Sequence, residues 1–107
     1  MYFLMICLHH DGPDIAALRD RLRPAHRAWV ASGGNGVARV LTGSALWNDA
    51  GDGIGNFGII EAADEAAARA FATGDPFATG GVVRQVELTR MADTFQAARI
   101  QPLTQAG

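Results

Sequence analysis

The spacing of hydrophobic residues changes several times along the chain, and each change predicts a new secondary-structure element. Residues 2–9 form an apolar run that is bounded by the turn-forming residues 11–13, which predicts a first strand. Successive side chains of a strand point to opposite faces, so this strand is apolar on both faces. Such a strand needs apolar partners on each side.

A helical period follows the first strand. From residue 14 to residue 32 the apolar side chains recur every three or four positions, which predicts a helix with Pro13 in its first turn. Pro24 lies inside this helix and lacks a backbone N–H, so we expect a kink or a break into two segments near Arg23. The glycine-rich residues 33–36 should end the helix.

The rest of the pattern predicts three more strands and two more helical segments. The expected elements are a strand at 36–42, a hairpin loop at 43–53, a strand at 54–62, a helix at 65–73 capped by Asp64, a helical turn at 76–78 capped by Asp75, and a strand at 82–91. The order strand, helix, strand, strand, helix, strand is typical of an α+β, ferredoxin-like fold with an antiparallel four-stranded sheet. We expect one such domain over residues 1–91, followed by a short helix and tail over residues 92–107.

The two helices of this arrangement can cover only one face of the sheet. The first strand is apolar on both faces, and the other strands also carry bulky side chains on each face. We therefore expect the uncovered face to meet a second copy of the chain, which makes a homodimer the predicted assembly.

Composition narrows the class of partner. Hydrophobic residues make up 49% of the chain and charged residues 19%, which favours a compact domain. The net charge is -2 and the positive residues are arginines spread along the sequence, so we expect no nucleic-acid partner.

The apolar start lacks a basic leader and is too short to span a membrane, so we expect a cytoplasmic protein. The lone Cys7 should pack as a small hydrophobic residue.

Three histidines are candidate acid–base groups, because imidazole changes charge near neutral pH. His9 and His10 leave the first strand on opposite faces without a metal-ligand cluster nearby, so we expect them to be hydrogen-bonded edge residues. His26 falls on the core-facing side of the first helix, beside Pro24. Its partner is either the carbonyl oxygen that Pro24 leaves unbonded or a carboxylate from elsewhere in the chain.

Asp75 is open to two interpretations. Its place between Gly74 and Pro76 is typical of a helix N-cap. A carboxylate in contact with His26 would also fix the imidazole tautomer and stabilise the protonated ring, which leaves the second ring nitrogen to move a proton. Sequence spacing alone leaves both interpretations open.

Residues 23–29 have the sequence RPAHRAW, and residues 75–81 have the sequence DPFATGG. The first segment resembles the helix-one signature of the YCII-like family, and the second resembles that family's Asp-Pro-aromatic segment. Residues 58–67 resemble its third strand and the start of its second helix, so the similarity covers about residues 1–90. The resemblance implies a dimeric α/β barrel with a cleft in each protomer, where His26 and Asp75 form a catalytic pair.

The same resemblance implies where a small-molecule ligand binds. Arg23, Trp29 and Phe77 lie within the two motifs and are the expected substrate-binding residues. Ser44 is a further candidate: the family often has Gly-Pro after the second strand and this chain has Gly-Ser, so the loop at 44–53 should determine substrate preference. The glycine-rich residues 51–55 precede a strand and not a helix, so we expect no cofactor, and no metal-ligand pattern is present.

Three functional hypotheses follow. The first is a small cofactor-independent enzyme in which His26 is the general acid or base and Asp75 orients it. Some members of the family are associated with dehydrochlorination of hydroxylated aromatics, so the resemblance implies an aromatic substrate. The alternatives are a non-catalytic dimeric module that binds a ligand or a partner protein through its cleft, and a cofactor-free monooxygenase of the same architecture.

Overall fold

The computed structural model describes residues 1–100. Its elements are β1 (Tyr2–His9), α1 (Pro13–Ala31), α2 (Gly33–Gly36), β2 (Ala38–Trp47), β3 (Gly53–Ala62), α3 (Glu65–Gly74), α4 (Pro76–Thr79), β4 (Val83–Arg90) and a 3-10 turn (Ala97–Arg99). The predicted tail from residue 101 onward lies outside the described residues. No helix within residues 1–100 is long and apolar enough to cross a membrane.

The four strands form one antiparallel sheet in the order β2-β3-β1-β4. This order places the first strand in the centre, where Met5 pairs with Gly58 on β3 and with Leu88 on β4. Helix α1 connects β1 to β2, and helix α3 lies between β3 and β4. In both cases the two connected strands are not neighbours in the sheet. The predicted α+β, ferredoxin-like fold is confirmed.

The hydrophobic core lies between the sheet and α3. Alternate residues of β1 are buried on this face, and they meet one face of the alanine-rich helix α3, which Asp64 caps by accepting from the Ala67 amide at 2.8 Å. The core residues are Phe3, Met5, Cys7, Ile60, Ala62, Ala68, Phe71 and Ala72. Helix α1 contains no buried residue, so one of its sides remains available to line a cavity.

The structure corrects two details of the local prediction. Of the kink or break expected near Arg23, the break does not occur: helix α1 runs unbroken through Pro24, whose ring lies on the exposed side of the helix. Strand β2 continues to Trp47, through residues that the Gly, Ser and Asn content assigned to a loop, because ten residues of β3 offer it a partner. The hairpin loop is therefore limited to residues 48–52.

The second face of the sheet is only partly covered. Leu4 and Ile6 of β1 are half-buried on this face, and the register places them beside Ile59 and Phe57 of β3. The segment after β4 contacts one end of this second face, where the rings of Tyr2 and Phe95 pack edge to face with their centroids 5.3 Å apart. The strand that was predicted to be apolar on both faces therefore has its second face half-exposed.

Gly74, the last residue of α3, tests how tightly the helices pack. A Cβ atom at this position would lie 2.8 Å from Cζ2 of Trp29 on α1, so we expect Gly74→Ala to lower the free energy of unfolding by about 1–3 kcal/mol. Urea denaturation followed by circular dichroism measures this loss. The smaller ring of Trp29→Phe removes the contacted atom, so Gly74→Ala should cost less in that background. An equal cost in both backgrounds would contradict the packing explanation.

Candidate active site

A cavity of about 770 Å³ lies between α1 and the strands β2 and β3. Its volume is typical of sites that hold small molecules. Arg19, Arg23 and Arg27 occupy successive turns of α1 and all line the cavity. Asp75 is the one acidic residue among the lining residues within 1–100, so the wall carries more positive than negative charge.

His26 and Asp75 meet at the wall of this cavity. Nδ1 of His26 lies 2.7 Å and 2.9 Å from the two carboxylate oxygens of Asp75, so Nδ1–H donates to the carboxylate. Neither ring nitrogen of His26 bonds to a carbonyl oxygen near Pro24, which removes the first of the two partners that the sequence left open. Nε2 has no hydrogen-bond partner within residues 1–100 and is not buried, and His26 is one of the residues that line the cavity.

Asp75 also caps a helix, so the N-cap interpretation is confirmed, and the contact with His26 that the second interpretation requires is present as well. Its Oδ1 accepts from the backbone N–H of Phe77 at 2.8 Å, which is the N-cap bond of α4. The side chain sits at the junction of α3 and α4 and the residue is 5% exposed. A buried carboxylate needs several donors, and here the helix start and His26 together supply them.

Phe77 fixes the plane of the imidazole. The rings of Phe77 and His26 stack face to face with their centroids 4.0 Å apart and an angle of 6° between planes. The edge of the His9 ring approaches Phe77 from another side at 5.7 Å and 78°. With its face held by Phe77 and its Nδ1 held by Asp75, His26 has one preferred orientation of Nε2.

His9 is a site residue that the sequence interpretation missed. It lies on the central strand, is 5% exposed and lines the cavity. Its Nε2 is 2.8 Å from Oδ1 of Asn56, and Nε of Arg19 donates to its Nδ1 at 3.2 Å. The prediction of a hydrogen bond is confirmed, whereas the edge position is wrong because β4 pairs outside β1. The alternation of β1 was the available signal, since it places His9 on the same face as Cys7.

Burial lowers the pKa of His9 below its ordinary value, and the positive charge of Arg19 adds to this effect, while the hydrogen bond to Asn56 acts in the opposite direction. His9 is therefore neutral at neutral pH. Burial, with the nearby Asp75 carboxylate, raises the pKa of the Cys7 thiol to about 12. The thiol is thus protonated at neutral pH and packs as a small hydrophobic residue, as the sequence predicted.

The other predicted site residues occupy different surroundings. Arg23 lines the cavity and pairs with Asp20 at 2.6 Å. Trp29 is absent from the lining, because its indole packs against α3 and donates to the Phe71 carbonyl at 3.0 Å. Ser44 is an exposed residue of β2 at the cavity border, and its hydroxyl donates to the Ala45 carbonyl at 2.9 Å. Within residues 1–100 no cluster of His, Cys, Asp and Glu has the composition of a metal site.

The lowered pKa of His9 predicts a pH dependence of stability. Below the ordinary histidine pKa of about 6.5, His9 is protonated in the unfolded chain but stays neutral in the folded chain until the pH is lower. The free energy of unfolding should therefore fall as pH is lowered from 7 towards 5, with a smaller slope in His9→Gln than in wild type. Urea denaturation across this range checks the slope, and His10→Gln, which changes an exposed neighbour, is the control. Equal slopes in wild type and His9→Gln would contradict the assignment of His9 as a buried neutral group.

Comparison with solved structures finds a similar fold in 5-chloro-2-hydroxyhydroquinone dehydrochlorinase (TftG) from Burkholderia phenoliruptrix AC1100, solved in complex with 2,5-dihydroxybenzoquinone. The two chains share 23% sequence identity with a TM-score of 0.71, and the match covers 86% of this chain and 94% of the dehydrochlorinase. The likeness shows that the two chains share the same fold, a four-stranded antiparallel sheet with helices.

A comparison with curated proteins finds no match. The family model described as the YCII-related domain, in contrast, matches residues 1–92 and so spans every strand and helix that lines the cavity. The chain therefore belongs to the YCII-related domain family.

Proposed function

We propose that this protein is a small cofactor-independent enzyme that moves a proton on a hydroxylated aromatic or quinone-like molecule bound in the cavity. His26 is the catalytic base or acid, and Asp75 is its positioning residue. The observation that carries the proposal is the 2.7 Å contact between His26 Nδ1 and the Asp75 carboxylate. This contact places the proton of the neutral ring on Nδ1 and leaves the lone pair on Nε2, at the cavity.

The geometry supports a proton abstraction that leads to elimination. Nε2 of His26 accepts a proton from a ring hydroxyl or an acidic ring carbon of the substrate, and the electron pair left behind enters the ring. Where the ring carries a halide at a position that can eliminate, the carbon–halogen bond breaks and the halide leaves with its electron pair. The net change is loss of H–X, which needs no oxidant. Asp75 stabilises the imidazolium that forms, through the bond that also orients the ring.

The substrate class is supported by the cavity and by the similar structure. The cavity of about 770 Å³ accepts a single-ring compound with room for substituents, and the aromatic ring of Phe77 is part of its lining. The structurally similar dehydrochlorinase is named for a chlorinated hydroxyhydroquinone, which is a compound of this class. Arg23 at the cavity and Ser44 at its border remain proposed substrate contacts, whereas Trp29 supports the site through its packing on α3.

Replacing the proposed base tests the mechanism. His26→Ala should lower the rate of chloride release from 5-chloro-2-hydroxyhydroquinone by about 10² to 10⁴-fold, the usual contribution of one positioned acid–base group. Added imidazole should restore part of the activity, because the alanine leaves space for it beside Phe77. His10→Ala removes an exposed histidine outside the cavity and is the matched control. Full activity of folded His26→Ala would contradict the proposal.

The same assay separates the alternative functions. Binding of 2,5-dihydroxybenzoquinone without turnover of chlorinated hydroquinones in wild type would favour a non-catalytic ligand-binding module. A reaction that requires dissolved oxygen and consumes it would favour a cofactor-free monooxygenase.

Asp75→Asn tests the positioning residue. Asparagine can still accept from the Phe77 amide, so α4 should remain folded, while His26 loses its charged partner. We expect the rate to fall about 10- to 100-fold, the range of one hydrogen bond to a charged group. Circular dichroism and steady-state kinetics measure fold and rate separately. An unchanged rate in the folded variant would show that Asp75 acts only as a helix cap.

We also propose that two copies associate through the second face of the sheet, where Leu4, Ile6, Phe57 and Ile59 form a half-exposed apolar stripe. Light scattering during size-exclusion chromatography should give twice the mass of one chain. Ile6→Asp should give the mass of a single chain, because a carboxylate in a buried apolar interface is strongly unfavourable. Ala70→Asp, on the exposed side of α3, should remain dimeric. A monomeric wild type would contradict this proposal.

A further inference from the structure

The hydrogen bonds of His9 settle its tautomer. Nε of Arg19 lies 3.2 Å from Nδ1 of His9, and a guanidinium group can only donate. Nδ1 must therefore carry the lone pair, and the proton of the neutral ring lies on Nε2. That proton points to Oδ1 of Asn56 at 2.8 Å. The result is a chain of donors that runs from Arg19 through His9 to Asn56.

This chain also settles the orientation of the Asn56 amide. Its oxygen faces His9 as the acceptor, so its nitrogen faces away. The Nδ2 group has no hydrogen-bond partner within residues 1–100, and no buried side-chain polar atom in this part of the chain lacks one. Nδ2 is therefore accessible, and Asn56 is a half-buried residue of the cavity wall. Two N–H donors are available to a bound molecule.

The charges of the wall define what these donors would bind. Arg19 donates to the Gly53 carbonyl at 3.3 Å as well as to His9. Its positive charge is therefore held next to the His9 ring that is bonded to Asn56. Arg23 and Arg27 extend the positive charge along α1, while the carboxylate of Asp75 is already shared by His26 and Phe77. A fixed N–H donor in a positive field favours an oxygen that carries or develops negative charge.

We propose that Arg19, His9 and Asn56 form an oxyanion subsite, in which the Asn56 amide donates to a phenolate or enolate oxygen of the substrate. The catalytic role of this subsite rests on the proposed function. When His26 removes a proton from the substrate, negative charge develops on the ring oxygen, and Asn56 stabilises that charge. The substrate class is thereby narrowed to molecules whose ionised oxygen is conjugated with the reacting position. Binding by this subsite does not require turnover.

The neutral form of His9 is a condition for the subsite. A doubly protonated ring would direct a donor at the Arg19 guanidinium, and both groups would then carry positive charge. The burial of His9 against Phe77 and the sheet favours the neutral ring, which can accept from Arg19 and donate to Asn56 at the same time. His9 and Arg19 act through Asn56, so they are positioning residues.

The probe for the test is 4-nitrophenol, whose phenol and phenolate forms absorb at different wavelengths. In wild type the bound probe should ionise at lower pH than the free probe, because the subsite prefers the phenolate. Asn56→Ala removes the donor without adding charge and should raise the Kd for the phenolate about 10- to 100-fold, the range of a hydrogen bond to a charged group. Asn56→Asp keeps an acceptor for His9 and should raise the Kd further.

Two controls make the result specific. Asn35→Asp adds the same charge in an exposed turn outside the cavity, and it should leave the Kd within twofold of wild type. Circular dichroism confirms that each variant is folded. If both Asn56 variants bind the phenolate within twofold of wild type, or if wild type does not bind it at all, the subsite proposal is overturned.

A spectroscopic measurement tests the positioning chain. Nitrogen-15 NMR of the His9 ring should show Nε2 protonated in wild type. In Arg19→Met both ring nitrogens should share the proton, and the Kd for the phenolate should rise less than in Asn56→Ala. Arg19→Lys keeps a donor and should restore part of the wild-type spectrum. A ring protonated at Nδ1 in wild type would overturn the donor chain.

The outcome is distinguishable from failure of the proposed function. His26→Ala should lose turnover and keep phenolate binding within a few-fold of wild type. If His26→Ala loses turnover while the Asn56 variants bind normally, the acid–base mechanism stands and the subsite is wrong. If the Asn56 variants lose phenolate binding while no substrate is turned over, the subsite stands and the protein is a binding module for ionised ring oxygens.

Discussion

The buried carboxylate of Asp75 is the constraint on which the rest of the site depends. It is 5% exposed, and its oxygens are satisfied by the Phe77 amide and by His26. These bonds join the end of α3, the start of α4 and the middle of α1 at one point. Because an unpaired buried carboxylate is costly, the three elements and the imidazole are held in a single arrangement. The cap and the positioning of His26 are one structural feature.

The sheet supplies the second constraint. Alternation along β1 places Cys7 and His9 on the covered face, so the strand that supplies the core also supplies the cavity floor. Helix α1 has no buried residue, and its arginine side therefore faces a space that a small molecule can fill. Phe77 joins the two parts, since its ring contacts both His26 and His9. The cavity is thus bordered by two histidines in different roles, one bonded to a carboxylate and one to a guanidinium.

These two surroundings divide the chemistry of the site. His26 donates from Nδ1 to a carboxylate, which leaves the lone pair of the neutral ring on Nε2. His9 accepts from the positively charged Arg19 at Nδ1, which favours a neutral ring, and its Nε2–H donates to Asn56. In the proposed mechanism, a molecule bound between them meets a proton acceptor on one side and hydrogen-bond donors on the other. This is the arrangement that proton abstraction next to a developing oxyanion requires.

The sequence by itself determined the order of strands and helices and the caps at Asp64 and Asp75, because hydrophobic period and capping chemistry are local properties. The resemblance to the family came from the motifs at residues 23–29 and 75–81. The sequence pattern was wrong about the break at Pro24 and the length of β2, where a helix and a paired strand continue through residues of low local propensity. Only the tertiary structure decided that Asp75 contacts His26, residues separated by 49 positions, and that His9, Arg19 and Asn56 share hydrogen bonds. Contacts of this kind depend on how helices cross the sheet, and no spacing within one element encodes that geometry.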